Sequence, residues 1–262
     1  MNILDTIIAR KKIEVAERKL NKSISELENG PFFKNKTLSF RDFLLREDKT
    51  GIIAEFKRKS PSKGVINDTS TVTEVTTAYA KYGASGISVL TDEEFFGGSL
   101  NDLLESTINE VPLLRKDFII DEYQVIESKA FGAEVILLIA ACLCREEVKK
   151  FAALAKNIGL NVLLEIHNEQ ELAHICNDVD VVGVNNRDLK TFIVDINRSI
   201  ELSKQIDGNT MKISESGIDN ISSINLLRDQ GFKGFLIGEK FMKEKNPGLA
   251  FQNFTEELKR EK

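Results

Sequence analysis

The chain is predicted to be an α/β protein in which eight βα units close into a (β/α)₈ barrel, preceded by a helical extension. Three observations carry this expectation. From Gly51 onward, short apolar runs alternate with amphipathic, helix-compatible segments, the pattern of a parallel sheet covered by helices. Glycine marks the returns from helix to strand, as in Tyr82-Gly83-Ala84, Phe131-Gly132-Ala133, Ile158-Gly159-Leu160 and Gln230-Gly231-Phe232. A glycine just past a helix can take positive φ without steric penalty. The length of 262 residues matches the roughly 250 that such a barrel needs. A doubly wound open sheet is the alternative that periodicity alone leaves open.

Taken in order, residues 1–45 read as the extension. Ile3, Ile7, Ile8, Val15 and Leu20 recur among charges with an imperfect helical period. Asn29-Gly30-Pro31 ends a second helical stretch, and Phe40, Phe43, Leu44 and Leu45 make a further apolar face before the first strand. Strands are predicted at 52–56, 86–90, 112–115, 134–140, 162–166, 181–184, 211–214 and 234–237. Residues 51–262 form the barrel in this reading, and residues 1–262 form a single domain.

A net charge of −5 argues against nucleic acid or an anionic membrane as partner, since both call for a basic surface. No run approaches the roughly 20 apolar residues of a membrane span, and the N-terminus lacks the basic and apolar regions of a signal peptide. Three cysteines, an odd number, fit reduced thiols in a cytoplasmic protein. Cys142 and Cys144 with only two histidines make a poor metal site, because zinc takes three or four suitably spaced ligands. No metal and no cofactor are expected. The absence of Gly-x-Gly-x-x-Gly after the first strand argues against a dinucleotide.

In a barrel, chemistry sits at the C-terminal ends of the strands. The first strand ends in Glu55 and Lys57, two residues apart and so on one face. It runs into the turn Ser60-Pro61-Ser62-Lys63-Gly64, rich in hydroxyl and amine donors. Lys116 shares a face with Leu114, Glu165 lies between apolar neighbours, the sixth strand ends in Asn185-Asn186-Arg187, and the seventh and eighth end in Glu215 and Glu239. Lysines and glutamates gathered in one cavity perturb one another's acidity, which suits acid–base catalysis. Gly217 and Gly238 follow the seventh and eighth strands, where barrels often hold a phosphate on backbone N–H groups. His167 and His174 are the only histidines. His167 reads as a loop residue, and no Ser-His-Asp arrangement is expected.

Several segments together resemble the indole-3-glycerol phosphate synthase family. They are Ala54-Glu55-Phe56-Lys57-Arg58-Lys59-Ser60-Pro61-Ser62-Lys63-Gly64, Leu90-Thr91-Asp92, Phe95-Phe96-Gly97-Gly98-Ser99-Leu100 and Leu114-Arg115-Lys116-Asp117-Phe118-Ile119. Further along come Gly132-Ala133-Glu134-Val135, Val184-Asn185-Asn186-Arg187-Asp188-Leu189, Ser214-Glu215-Ser216-Gly217-Ile218 and Gly234-Phe235-Leu236-Ile237-Gly238-Glu239. The helical extension is also similar to that family's.

The resemblance implies ring closure of 1-(2-carboxyphenylamino)-1-deoxyribulose 5-phosphate to indole-3-glycerol phosphate, with loss of CO₂ and water, in tryptophan biosynthesis. It implies Lys116 as general acid and Glu165 as the carboxylate of the dehydrating half. Lys57 would meet the substrate's carboxylate or phosphate, with Glu55, Asn185, Arg187 and Glu215 shaping the pocket. Ser60, Ser216, Gly217, Gly238 and Glu239 would hold the phosphate, and Phe96, Phe118, Leu137 and Leu189 would seat the aromatic ring. The expected partner is this small phosphorylated substrate. The chain is expected to be a monomer, with at most transient contacts to other tryptophan-pathway enzymes and no fused second enzyme. Lys240 departs from the family, many members of which carry a small or apolar residue there. A phosphoribosylanthranilate isomerase-like barrel and a non-catalytic phosphate-binding barrel are the competing readings.

Overall fold

The computed structural model describes residues 3–189 and 191–261. Eight strands form a closed barrel: β1 (Ile52–Phe56), β2 (Gly86–Leu90), β3 (Leu113–Lys116), β4 (Val135–Ile139), β5 (Asn161–Ile166), β6 (Val181–Asn185), β7 (Lys212–Glu215) and β8 (Gly234–Ile237). Every neighbouring pair is parallel, and β1 pairs with both β2 and β8, which closes the ring. The open-sheet alternative is thereby excluded.

Helices α1 (Ile3–Asn21), α2 (Ile24–Glu28) and α3 (Phe40–Leu45) precede the barrel. Around it follow α4 (Val72–Lys81), α5 (Glu93–Phe96), α6 (Leu100–Ser106), α7 (Glu122–Ala130), α8 (Arg145–Asn157), α9 (Asn197–Ser203), α10 (Ile221–Asp229), α11 (Glu239–Met242) and α12 (Pro247–Arg260). Local chemistry sets their starts: Thr71, Ser99, Asp121, Asn220 and Asn246 each cap a helix with a side-chain oxygen. The fifth unit lacks an α-helix and has only a 3₁₀ segment, Glu169–His174.

Strand alternation sorts the core into two layers. Ile52, Ala54, Ile87, Val89, Ile136 and Val162 point outward and pack beneath the helices. Ile53, Leu114, Leu137, Leu163, Ile213 and Leu236 point inward and fill the barrel. Phe40 and Leu44 of α3 belong to that inner cluster. They meet Gly86 and Gly234, the first residues of β2 and β8, so α3 stoppers the N-terminal end of the barrel. The third and seventh strands run one residue later than the sequence suggests, which puts Lys116 and Glu215 inside the ladder. Both side chains are thus fixed by backbone pairing and do not sit on loose loop shoulders.

Candidate active site

The inward positions at the C-terminal mouth carry charge, while those beneath them are apolar. Lys116 Nζ lies 2.7 Å from Glu165 Oε2 and 2.9 Å from Glu215 Oε2. Asn185 Nδ2 donates to the other Glu165 oxygen at 3.0 Å. Lys57 Nζ lies 2.7 Å from Glu55 Oε1. Two glycines make room for this cluster. A Cβ on Gly183 would fall 2.2 Å from Glu215 Oε1, and one on Gly238 would fall 2.7 Å from Glu55 Oε1.

These groups set one another's acidity. Burial disfavours the Lys116 ammonium, but Glu165, Glu215 and Glu55 outweigh it and hold its pKa above the ordinary lysine value. Burial works against Glu165 as well, yet Lys116 and His167 keep its pKa well below the usual carboxylate range. Glu215 is pushed up to about 7 by burial; Lys116 opposes this, while Glu165 and Glu55 reinforce it. The pocket therefore offers a charged donor, an ionised acceptor and a carboxyl that titrates near neutrality.

A cavity of ≈ 160 Å³ opens above the cluster. Phe96, Phe118, Leu137 and Leu189 give it apolar walls, Ser60 and Arg187 line it as well, and Ile3, Leu4 and Ile7 of α1 cover it. The rings of Phe96 and Phe118 are 6.1 Å apart. A polar cavity of ≈ 500 Å³ shares the Glu55, Lys57 and Arg187 wall and is bordered by Ser216, Gly217, Gly238 and Glu239. Ser216 and Gly217 both take positive φ, at 68° and 73°, so the chain turns sharply as it leaves β7. Glu239 bridges the rim, 3.6 Å from Lys63 and 3.7 Å from Arg187.

Every site residue expected from the sequence thus lines one of two adjoining cavities. The sequence reading missed two others. His167 does sit in the loop after β5, but it is buried there, 6% exposed, between two carboxylates, with Nε2 3.1 Å from Glu165 and Nδ1 3.2 Å from Glu171. Its signal was its place two residues beyond Glu165, which puts both side chains on one face. Lys11 is fully buried, with Nζ 2.8–2.9 Å from Glu14, Asp92 and Asp117. It looks like part of the solvated run Arg10-Lys11-Lys12, yet Ile7, Lys11 and Val15 form the buried stripe of α1. Asp92 caps α5, which carries Phe96, and Asp117 follows Lys116. Lys11 therefore ties the covering helix to both sides of the site.

Comparison with known proteins identifies the family. A sequence model of the family described as indole-3-glycerol phosphate synthase matches residues 4–254. The chain is 45% identical over 258 residues to the indole-3-glycerol phosphate synthase of Bacteroides thetaiotaomicron, covering 98% of this chain and 99% of that protein. It is 42% identical over 262 residues to that of Thermoanaerobacter pseudethanolicus, covering 98% of both. Among solved structures, a chain of the tryptophan synthase complex from Pyrococcus furiosus superposes with a TM-score of 0.61 at 15% identity, covering 81% of this chain and 99% of that one. That likeness speaks to the barrel fold alone. The family match and the two close relatives, over nearly the whole length, place this chain in the indole-3-glycerol phosphate synthase family.

Proposed function

We propose that the chain is a carbon–carbon lyase that closes the indole ring of 1-(2-carboxyphenylamino)-1-deoxyribulose 5-phosphate, releasing CO₂ and water. The observation that carries this reading is Lys116 held between Glu165 and Glu215 inside a covered cavity. Ring attack turns the ketone oxygen into a developing alkoxide, and a pre-positioned ammonium donates its proton there. Decarboxylation then restores aromaticity, so the protein needs to supply proton transfer, orientation and exclusion of water.

In this reading Lys116 is the general acid of ring closure, and Glu165 accepts a proton in the dehydrating half. Glu215, near 7, buffers the charge on Lys116, and Asn185 orients Glu165. Lys57, held by Glu55, neutralises the substrate carboxylate. Phe96, Phe118, Leu137 and Leu189 seat the aromatic ring. The phosphate occupies the polar cavity, held by charge-assisted and backbone hydrogen bonds from Arg187, Ser216, Gly217, Gly238 and the Glu239 backbone, with Ser60 on the wall of the adjoining cavity. Free thiols at Cys142, Cys144 and Cys176 fit a reducing, cytoplasmic compartment.

The test is a continuous fluorescence assay for the indole product with parallel CO₂ measurement. One CO₂ per indole is expected. Substrate consumption without CO₂ release would overturn the reading.

A further inference from the structure

The reaction proposed above does not balance in protons within the cavity. Ring closure puts one proton on the ketone oxygen, and dehydration puts a second on the same oxygen as it leaves as water. Aromatisation returns one proton from the adjacent ring carbon. The electron pair of the breaking C–CO₂⁻ bond rebuilds the aromatic ring, so CO₂ leaves without a proton. Each turnover therefore takes one proton from solvent, while Ile3, Leu4 and Ile7 of α1 cover the site.

His167 has the geometry to carry that proton in. Its Nε2 is buried without a hydrogen-bonded partner and has Glu165 Oε1 3.1 Å away. Nδ1 lies 3.2 Å from Glu171 Oε2, which also accepts the His167 backbone N–H at 2.7 Å. Glu171 is fixed in turn by Asn168 Nδ2 on Oε1 at 2.6 Å. On the far side of Glu165, Lys116 occupies Oε2 at 2.7 Å. Other titratable groups nearby are Cys142, kept neutral with its pKa pushed up to about 12 by burial and the fields of Glu165 and Glu171, and His174, whose Nδ1 faces the Glu171 carbonyl.

We infer that His167 is the proton store of the site, a positioning residue that acts through Glu165 and is kept loaded by Glu171. In the step, the Nε2–H bond breaks and a Glu165 O–H bond forms, leaving neutral imidazole with its proton on Nδ1. A turn of the Glu165 carboxyl about its Cγ–Cδ bond then brings this O–H to Lys116, where the O–H bond breaks and an Nζ–H bond forms, and solvent recharges His167 when product leaves. The deficit falls on His167 and not on Lys116 because a neutral Lys116 would leave Glu215 without its cation, whereas Glu165 keeps Lys116 when His167 is neutral. Burial lowers the His167 pKa, but the two carboxylates outweigh it and raise it to about 9, so the store is full at neutral pH.

The inference rests on the ring-closure reading, and stopped-flow kinetics of the full chain with a pH-indicator dye separates the two. If the unsubstituted protein makes no indole, the reaction reading fails. If it makes indole, the store predicts that indole forms before the proton is taken from buffer. In His167→Gln, which cannot carry a proton, indole formation should slow by about tenfold or more and coincide with proton uptake, with KM little changed. Glu171→Gln should bring the alkaline limb of the kcat–pH profile down by about a unit or more, since it removes a neighbouring opposite charge. Identical timing in the parent and His167→Gln overturns the inference. If His167→Gln does not fold, an alkaline limb unmoved by Glu171→Gln overturns it as well.

Discussion

The single side chains of the mouth were legible in sequence for a simple reason. Alternation on a strand sends Lys116 with Leu114 and Glu165 with Leu163, and the apolar partner announces the inward face. Gly183 was not legible, because the need for a missing Cβ depends on the register that sets Glu215 beside it. Two predictions follow at this scale. Lys116→Met should lower kcat by about 10²–10⁴-fold, the usual cost of losing a positioned acid, while substrate still binds; a variant with a third or more of the parent kcat would remove Lys116 from the mechanism. Gly183→Ala should drive Glu215 away from Lys116, because the new methyl would stand 2.2 Å from its Oε1. We expect kcat to fall by about tenfold or more, with a smaller change in KM. An alanine variant with parental kinetics would show that the Glu215–Lys116 contact does not matter to turnover.

At the scale of elements, the extension serves both ends of the barrel. Its apolar residues were visible, but not which end of the barrel they serve. Residues Ile3, Leu4 and Ile7 of α1 lie over the mouth, while Phe40 and Leu44 of α3 close the opposite end. The physical cause is that a helix stripe says only that a face is buried, not against what. Removing residues 1–21 should accordingly leave a folded barrel with raised KM and lowered kcat. Removing residues 1–45 should expose the inner core cluster and give an aggregating chain. A soluble 1–45 deletion that melts like the parent would contradict this division. Lys11→Met separates cover from clamp. It leaves Asp92 and Asp117 buried without their shared cation, and breaking such a pair costs about 3–5 kcal/mol. Arg115, 2.9 Å from Asp117, tempers the loss. Thermal melting that drops by less than a few degrees would show that Lys11 does not clamp α1.

For the whole molecule, buried titratable groups give the stability a definite pH slope. Burial pushes Glu134 up to about 7 against the hydrogen bond it accepts from the Leu113 N–H. Burial likewise raises Glu215 to about 7, and His167 is held near 9 by Glu165 and Glu171 against burial. All three bind protons more tightly folded than unfolded, so each contributes stability that is full below its unfolded pKa and fades as pH rises through its folded one. For the two glutamates that window runs from about 4.5 to 7, and for His167 from about 6.5 to 9. Asp117 and Glu165 act in the opposite sense. Burial opposes their ionisation, but Lys11 and Arg115 outweigh it at Asp117, as Lys116 and His167 do at Glu165, so their contribution is lost only on strong acidification. Unfolding free energy from urea titrations should therefore peak near pH 5 and decline steadily to pH 9. Glu134→Gln keeps the acceptor for Leu113 but removes one titration, so it should flatten the segment between pH 5 and 7 and leave the segment above 7 in place. The slope would be shown to arise elsewhere by a Glu134→Gln curve parallel to the parent across the whole range.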